Sequence, residues 1–585
     1  MTYRLRLFAL LGAGMALRVA YVLAQPHGDP SYAHPILDGE YYLAMARSLL
    51  GAGPSPETGA YYLAPLYPRL LAAWLWLAGE RYGVLYLTQH AFLVATAGLL
   101  AGVARRAAGD GAGIAAAALV LLYHPFLYFA SRPLGEALAL LLLAGSLALA
   151  YGGGRAAPLG AGLMGGLGAL ARPNLLLVPV ALISQALWTR RWVRAVLFAL
   201  GLALAIAPVA LRNATASGHF VAISSNAGLT LYHGNGPGAR GGFTFPSGFT
   251  GRVVTQREEA TQIARAQSGQ DLDDVEADRY WGREAWRVRL DDPSGTLALF
   301  ARRALLLVDD AEHGLDYAPF LDPDPWRWAA PLPFAALLFL AVAGLALRGV
   351  SGTGGGRLWL GTAACAVAPV LFFTASRYRL PLAALLCVPA GVGFSSLLAL
   401  PRRPTRREGW AILLAAAAAG LALFEPSAAL VHQERATAFS NLAALRRRQG
   451  DLAEALSLAR QALEENPDSA VARYNLGVFL RAAGRGPEAE EAFAQALRTD
   501  PGFAEAAVNL SSLLLEEGRA REAVPVLRTA LAAHPSHPKC WKNLVAALAL
   551  SGETEAARAA AAEAERRGVK IDNVPSILGA PPRNR

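Results

Sequence analysis

Long apolar runs separated by short polar stretches dominate the chain up to residue 424. A helix needs roughly 17–25 apolar residues to cross a bilayer. Eleven runs approach that length, around 5–24, 83–104, 111–130, 133–151, 157–171, 174–189, 193–211, 330–347, 358–375, 380–400 and 409–424. The pattern therefore predicts a mainly α, polytopic membrane protein of about eleven spans. A break at Arg172 and Pro173 separates the fifth span from the sixth.

After residue 436 the pattern changes to a 34-residue repeat. The recurring residues are Asn441, Asn475, Asn509 and Asn543; Gly450, Gly484, Gly518 and Gly552; Ala455, Ala489, Ala523 and Ala557; and Pro467, Pro501 and Pro535. Glycine favours a helix end and proline does not continue a helix. The spacing predicts four tetratricopeptide repeats (TPR) over 436–568, an α-solenoid whose concave groove binds a protein partner or, alternatively, a rigid spacer. Residues 569–585 are predicted to be a disordered tail.

Arginines predict how the spans are oriented. With the N-terminus inside, the inner loops receive Arg105, Arg106, Arg155, Arg190, Arg191, Arg194, Arg348, Arg357, Arg402, Arg403, Arg406 and Arg407, as the positive-inside bias requires. This orientation predicts a cytoplasmic (inner) membrane protein with residues 213–329 as an external, periplasmic domain and the repeats on the same side. The membrane core then consists of 1–212 and 330–425.

The net charge of +10 comes almost entirely from arginine, because the only lysines are Lys539, Lys542 and Lys570. The basic excess lies in the apolar part of the chain, which favours a membrane charge bias over nucleic-acid binding. The three cysteines are too few for a disulfide framework.

Two carboxylates, Asp38 and Glu40, follow the first apolar run at the start of an amphipathic helix. The predicted topology sends several arginines to the same side, among them Arg172 and Arg377. Arginine presents a planar fork to phosphate, and a carboxylate can take a proton from an attacking hydroxyl. Together they suggest group transfer from a lipid-linked phosphate donor at the external face of the membrane.

Several stretches resemble the GT-C glycosyltransferases, polytopic enzymes that include protein O-mannosyltransferases and the lipid A aminoarabinose transferase. They are Leu37–Tyr42 (LDGEYY), Ala64–Pro68 (APLYP), Leu170–Asn174 (LARPN), Leu211–Asn213 (LRN), Gly228–Asn235 (GLTLYHGN) and Ser376–Pro381 (SRYRLP). The resemblance implies inverting transfer of a sugar from a polyprenyl-phosphate donor to the hydroxyl of a protein, or of an envelope glycan or lipid. Gly39 separates two acids that are often adjacent in the family.

By that resemblance Asp38 is the catalytic acid of the first loop, and Arg377 meets the donor phosphate. The residues expected to bind substrate are Glu40, Tyr41, Tyr67, Glu136, Arg172, Asn174, Arg212, Asn213, Asn235, Arg377, Tyr378 and Arg379. A divalent cation, Mg or Mn, on Asp38 and Glu40 suits their hard oxygen ligands. Two alternatives remain open: a non-enzymatic membrane scaffold that recruits proteins through its repeats, and an oligosaccharide ligase or polymerase.

Overall fold

The computed structural model describes residues 1–25, 30–57, 59–244, 249, 253–315, 317, 319–322, 324–348, 353–401, 403–424, 428–535 and 537–571. Over these ranges the protein is helical, and its only extended pairing is an isolated bridge between Tyr123 and Pro331. The chain forms two compact units, one from residues 1–430 (without 247–249) and one from 431–585. Most of the predicted disordered tail, 572–585, and the inner-loop residue Arg402 lie outside the described residues.

The first unit contains helices α1 to α19. Their bounds are α1 Tyr3–Ala24, α2 Asp38–Leu49, α3 Leu66–Ala78, α4 Tyr82–Ala108, α5 Asp110–Leu122, α6 His124–Phe129, α7 Glu136–Ala150, α8 Ala157–Ala171, α9 Leu177–Trp188, α10 Trp192–Ser217, α11 Ala227–Asn235, α12 Val253–Ser268, α13 Asp274–Asp291, α14 Pro293–Val308, α15 Asp324–Ala329, α16 Phe334–Arg348, α17 Thr353–Leu371, α18 Ser376–Leu398 and α19 Arg406–Ala422. Short 3₁₀ helices span Pro30–Tyr32, Pro173–Leu176 and Pro319–Leu321. Helices α11–α15, from the predicted external domain, belong to this same unit.

Four described helices, α1, α4, α10 and α18, are long and apolar enough to cross a membrane. Six shorter apolar segments accompany them: Asp110–Leu122, Glu136–Ala150, Ala157–Ala171, Pro173–Trp188, Phe334–Arg348 and Leu360–Leu371. These ten segments fall on the first ten predicted spans, and α19 falls on the eleventh. Length and composition thus support four spans, while the count of eleven remains a prediction.

The span predicted over 111–130 is wrong as a single helix. It breaks at Tyr123, whose ψ of 109° is extended, and resumes as α6. Pro125 has no N–H to continue the helix, so carbonyls at the end of α5 take other donors. Leu121 O accepts from Arg18 at 3.3 Å, and Leu122 O accepts from the backbone N–H of Leu332 at 3.2 Å.

The start of the tenth span was predicted too late. Arg377 and Arg379 were expected in a loop, but α18 begins at Ser376 and holds both in its first turn. The helix contains Pro381, and proline is tolerated in a helix that is packed among other helices. Helix α18 is largely buried and packs against α5 and α16.

The second unit consists of helix pairs. Its helices are α20 Ala428–Arg448, α21 Leu452–Glu465, α22 Ala470–Ala482, α23 Gly486–Thr499, α24 Ala504–Glu516, α25 Ala520–Ala533, α26 Pro538–Leu550 and α27 Thr554–Arg566. The predicted helix-ending glycines adopt left-handed φ values of 86°, 73°, 76° and 84° at Gly450, Gly484, Gly518 and Gly552. That conformation suits glycine and ends a helix. The four predicted helix–turn–helix repeats are therefore confirmed.

Candidate functional site

The turn before α2 positions the first-loop acids. Leu37 has a φ of 50°, a left-handed value that is uncommon for a bulky residue. The hydroxyl of Tyr317 accepts from Ile36 N at 3.2 Å and donates to Ile36 O at 3.3 Å. Ile36 O also accepts from Gly39 N at 3.0 Å. This turn aims Asp38 from the first position of the helix.

Gly39 is required by close packing. A Cβ atom placed there would lie 2.8 Å from the Tyr317 hydroxyl oxygen and 3.0 Å from Cγ of Pro133. A second acid directly after Asp38 would therefore clash with the residues that hold the turn. Local packing therefore favours glycine between the two acids.

Asp38 forms an ion pair with a residue 339 positions later in the chain. Arg377 Nη2 lies 2.6 Å from Asp38 Oδ2, and both side chains are largely buried. The ring of Tyr378 lies 5.3 Å from the Arg377 guanidinium and 4.8 Å from that of Arg172. Arg172 in turn pairs with Glu136, the first residue of α7. We call Asp38, Glu136, Arg172 and Arg377 the acid–arginine cluster.

Tyr42 lies within electrostatic reach of all four cluster residues. Burial raises the pKa of its hydroxyl, and the charge of Asp38 raises it further, while Arg172 and Arg377 oppose the shift. Tyr42 thus stays neutral and able to donate a hydrogen bond. Within the described structure, Oε2 of Glu136 is buried without a hydrogen-bond partner.

Arg379 does not join the cluster through its hydrogen bonds. Its guanidinium donates to the backbone carbonyl of Asp309, and to that of Ala311 at 3.0 Å. It also pairs with Glu312 at 2.8 Å and lies 4.3 Å from the ring of Phe334. These contacts hold the segment after α14, so the structure does not bring Arg379 into the acid–arginine cluster, and its substrate-binding role stays a prediction.

Other predicted substrate residues make contacts within the protein. The Tyr41 hydroxyl donates to Glu57. The Tyr67 hydroxyl donates to Gln89 Oε1 at 2.8 Å. Asn174 is half-buried in the 3₁₀ helix that follows Arg172, and Glu40 is half-buried in α2. The substrate-binding roles of Tyr41, Tyr67, Glu40 and Asn174 remain predictions.

The predicted residues at the end of α10 brace the segment after α2. Arg212 Nη1 donates to Gly59 O at 2.6 Å, and its guanidinium lies 4.0 Å from the Tyr61 ring. Asn213 is buried: Oδ1 accepts from Tyr61 N at 3.1 Å, and Nδ2 donates to Val221 O and Ile223 O. Both residues are anchors for the backbone in this arrangement.

Asn235 is likewise buried in backbone contacts. Its Nδ2 donates to Leu231 O and Leu371 O at 2.9 Å, and its Oδ1 accepts from Arg303 Nη1 at 3.0 Å. Burial lowers the pKa of Arg303 to about 9. Asn235 thereby ties α11 to the end of α17.

Glu57 is a buried carboxylate that was not predicted from the sequence. It accepts from Tyr41, from Tyr62 N at 2.9 and 3.1 Å, and from Arg257 Nη1 at 2.8 Å. Arg257 also pairs with Asp274. Burial raises the pKa of Glu57, and this effect outweighs the lowering by Tyr41, Tyr62 and Arg257. Its Pro- and Ser-rich surroundings in sequence carry no periodic signal that could have marked it.

The predicted cation site at Asp38 and Glu40 lacks a third ligand of the His, Cys, Asp or Glu type within the part of the chain that the structure describes. There, the three such ligand atoms that converge within 4.8 Å belong to His219, Asp273 and Glu276. At the start of α13 these groups already have protein partners: His219 hydrogen-bonds the Asp273 carboxylate, and Glu276 accepts from the backbone N–H of Asp273. The Asp273 carboxylate also accepts from Val275 N and Glu276 N. The acid pair therefore gains no geometric support as a metal site.

Comparisons with known proteins concern the repeats. A family model of the tetratricopeptide repeat matches residues 446–513 and 514–570. No curated protein matches the chain. Among solved structures, the chain is similar to YrrB, described as a TPR protein with an unusual peptide-binding site, at 23% identity over 23% of this chain and 68% of that one, with a TM-score of 0.21.

It is also similar to MamA from Desulfovibrio magneticus RS-1, at 22% identity over 23% of this chain and 76% of that one, with a TM-score of 0.21. For pilF of Pseudomonas aeruginosa the identity is 19% over 28% of this chain and 72% of that one, with a TM-score of 0.23. TM-scores this low carry no argument about the fold. The assignment of the repeats therefore rests on the family model and on the helix pairs. These two observations identify the second unit as an array of tetratricopeptide repeats.

Proposed function

We propose that the first unit is a membrane glycosyltransferase of the GT-C kind, and that the repeats recruit a protein. The enzyme would transfer a sugar from a polyprenyl-phosphate donor to an acceptor hydroxyl at the outer face of the cytoplasmic membrane. The observation that carries the proposal is the ion pair of Asp38 and Arg377. It joins the two residues to which the family resemblance gives the roles of base and phosphate ligand.

The ion pair suggests how donor binding activates the base. A lipid phosphate that takes the Arg377 guanidinium competes with the Asp38 carboxylate for the same N–H donors. Asp38 then becomes available to accept the proton of the acceptor hydroxyl. The acceptor oxygen bonds to the anomeric carbon of the sugar as the bond from that carbon to the phosphate oxygen breaks. The electron pair of that bond stays on the phosphate.

Arg172 and Arg377 would stabilise the leaving phosphate. Negative charge grows on the phosphate oxygen as the sugar departs, and fixed cations aimed at such charge lower the barrier. The ring of Tyr378 contacts both guanidinium groups. Lys substitutions would retain the charge but lose the paired hydrogen bonds of the guanidinium fork.

Glu136 would orient substrate within the same cluster. One carboxylate oxygen binds Arg172, while Oε2 is buried and lacks a partner within the described protein. A buried acceptor without a donor is costly, so a hydroxyl of the bound sugar or acceptor is a favourable partner. We assign Glu136 a binding role and keep the proton transfer on Asp38.

The repeats support recruitment of a protein acceptor or partner. Stacked repeats present an extended concave surface suited to protein segments, and such a surface raises the local concentration of an acceptor near the catalytic unit when both belong to one chain. The repeat match also fits the rival function, a scaffold without catalysis. The two functions differ in whether the protein has a transfer activity that requires Asp38.

The test is Asp38→Asn in the full-length protein, reconstituted in liposomes with a panel of synthetic polyprenyl-phosphate hexoses and pentoses and an envelope protein extract. Release of polyprenyl phosphate is measured by mass spectrometry. Loss of a general base predicts a fall of roughly a hundredfold or more. Glu80→Gln is the matched control, because it removes an exposed carboxylate that pairs with Arg47.

Wild-type turnover that Asp38→Asn leaves unchanged would remove Asp38 as the base and favour a ligase or polymerase mechanism. Absence of turnover with every donor, together with protein binding by the repeats, would favour the scaffold. A loss that Glu80→Gln shares would point to general destabilisation.

A further inference from the structure

Three helices of the repeat unit carry equivalent stripes of side chains. Positions i, i+3, i+4 and i+7 share one face of a helix. The stripes are Val471, Tyr474, Asn475 and Val478 on α22; Glu505, Val508, Asn509 and Ser512 on α24; and Lys539, Lys542, Asn543 and Ala546 on α26. We call these twelve residues the repeat face.

Hydrogen bonds join the three stripes side by side. Asn509 Nδ2 lies 3.4 Å from the Tyr474 hydroxyl oxygen. Asn543 Nδ2 donates to Val508 O at 3.3 Å and to Ser512 Oγ at 3.2 Å. The repeat face is therefore one continuous surface across α22, α24 and α26.

The two ends of this face differ in chemistry. Val471 keeps 55% of its surface exposed beside the half-buried ring of Tyr474, so the α22 end is apolar. Lys539 and Lys542 are exposed at the α26 end. Glu505 occupies the repeat position equivalent to Lys539, one 34-residue period earlier, and is the single carboxylate on the face. The charge at this position thus changes sign from one repeat to the next.

The two lysines differ from the arginines around them. Arg481 pairs with Glu516, and Arg519 reaches three glutamates. Within the described residues, neither Lys539 nor Lys542 has a carboxylate at ion-pair distance. Both stand near the N-terminus of α26, whose first turn holds no acid. A helix dipole disfavours a cation in the first turn, where Lys539 stands.

We propose that the repeat face binds an extended protein segment that carries carboxylates for Lys539 and Lys542 and an apolar side chain for the Val471 end. Charge complementarity selects the carboxylates, and the exposed valine beside Tyr474 selects the apolar residue. The proposal deepens the recruiting role given to the repeats above. It does not depend on catalysis by the first unit.

The helix spacing sets the length of the segment. Neighbouring helices pack 8–10 Å apart, so α22 and α26, with α24 between them, are separated by roughly 20 Å. An extended chain covers about 3.3 Å per residue, so roughly six residues connect the two ends. A suitable probe is a fluorescent peptide with an Asp-Glu pair at its centre and a leucine about six residues away on either side. Its symmetry makes the direction of binding immaterial.

The experiment measures anisotropy of this probe with the full-length protein in nanodiscs of uncharged phosphatidylcholine. The double variant Lys539→Gln, Lys542→Gln is expected to weaken binding by about tenfold, because it removes two charge-assisted contacts. Glu505→Gln is expected to tighten binding severalfold, since it removes the like charge. Lys570→Gln is the matched control: this third lysine is exposed but lies outside the repeat face.

Several results would overturn the proposal. These are equal weakening by Lys570→Gln, equal binding of a probe with lysines in place of its acids, or no binding of the acidic probe by the wild-type protein. Vesicles of phosphatidylglycerol that displace the probe, and that lose their own affinity in the double variant, would assign the lysines to a lipid surface instead. Because no sugar transfer is measured, failure here leaves the glycosyltransferase proposal untouched, and the reverse also holds.

Discussion

The two units of the protein differ in whether they bury charged side chains. In the first unit, Arg303 and Arg379 are fully buried, and the contacts that hold them come from distant parts of the chain. In the repeat unit, ion pairs such as that of Arg485 with Glu488 are exposed and local. A buried ion whose partner is removed is strongly destabilising, whereas exposed pairs contribute little. The number of ion pairs therefore says little about which charges the fold depends on.

The largest effect is expected at Arg377, where a buried charge also serves the proposed chemistry. Arg377→Ala should lower release of polyprenyl phosphate by roughly a hundredfold or more, because the donor phosphate loses a fixed cation. Arg377→Lys should retain part of the activity, since charge remains but the fork does not. Similar, near-normal rates for both variants would show that this arginine only anchors α18.

Stability gives the sharpest form of the comparison. Arg379→Ala leaves the adjoining Glu312 without its cation and the buried Asp309 with its contact to His313, and should cost about 3–5 kcal/mol of unfolding free energy. Arg519→Ala removes contacts to three glutamates but should leave the unfolding temperature unchanged. Thermal unfolding of the detergent-solubilised protein measures both. Equal shifts would contradict the distinction between buried and exposed charge.

Two tyrosine hydroxyls, one buried and one exposed, test the same distinction for hydrogen bonds. Tyr41→Phe takes a donor from the buried Glu57 and should cost about 1–3 kcal/mol. Tyr280→Phe removes an exposed hydroxyl that donates to Gln267 at 3.1 Å, where water can substitute, and should cost much less. Denaturant titration of both variants measures the difference. A smaller loss for Tyr41→Phe than for Tyr280→Phe would mean that Glu57 does not rely on this donor.

The smallest effect is expected in the repeat unit, where a half-buried histidine caps α26. His537 Nδ1 accepts from Cys540 N at 3.2 Å, and burial lowers the pKa of His537 below its usual value of 6.5. The unfolded chain therefore binds this proton more readily, so the stabilising contribution is present above about pH 6.5 and is lost as pH falls through the lower folded pKa.

Hydrogen exchange at the Cys540 amide, corrected for the intrinsic rate, should report this loss between pH 7.5 and acidic pH. His537→Asn keeps a capping acceptor without the titration, and should remove most of the pH dependence. His534→Asn, in the preceding turn, is the control. A pH dependence that His537→Asn leaves intact would place the titration elsewhere.

Periodic features of the fold were predictable from sequence, while contacts between distant residues were not. The 34-residue period predicted the four helix pairs because each repeat needs the same small residues and helix ends. The break at Arg172 and Pro173 was predictable because proline disfavours a helical backbone at the residue before it. By contrast, the break at Tyr123 depends on donors from Arg18 and Leu332, and no local pattern announces them.

The candidate site shows the same limit at two neighbouring arginines. Arg377 and Arg379 were grouped because both were placed in a loop. In a helix of 3.6 residues per turn, side chains two positions apart are rotated by about 200° around the helix axis. They therefore lie on nearly opposite faces of the helix. One therefore faces Asp38 and the other faces Asp309 and Glu312. Only the correct start of α18 could have separated their roles.

The distribution of lysine gives the protein a built-in chemical handle. Apart from the terminal amine, every primary amine of the chain belongs to Lys539, Lys542 or Lys570, all exposed in the repeat unit. Arginine does not react with amine-selective acylating reagents, so a succinimidyl dye would leave the side chains of the first unit unmarked. Two of its three side-chain targets lie on the repeat face. A bound partner would shield those two and leave Lys570 as an internal standard, which turns acylation into a footprint of occupancy.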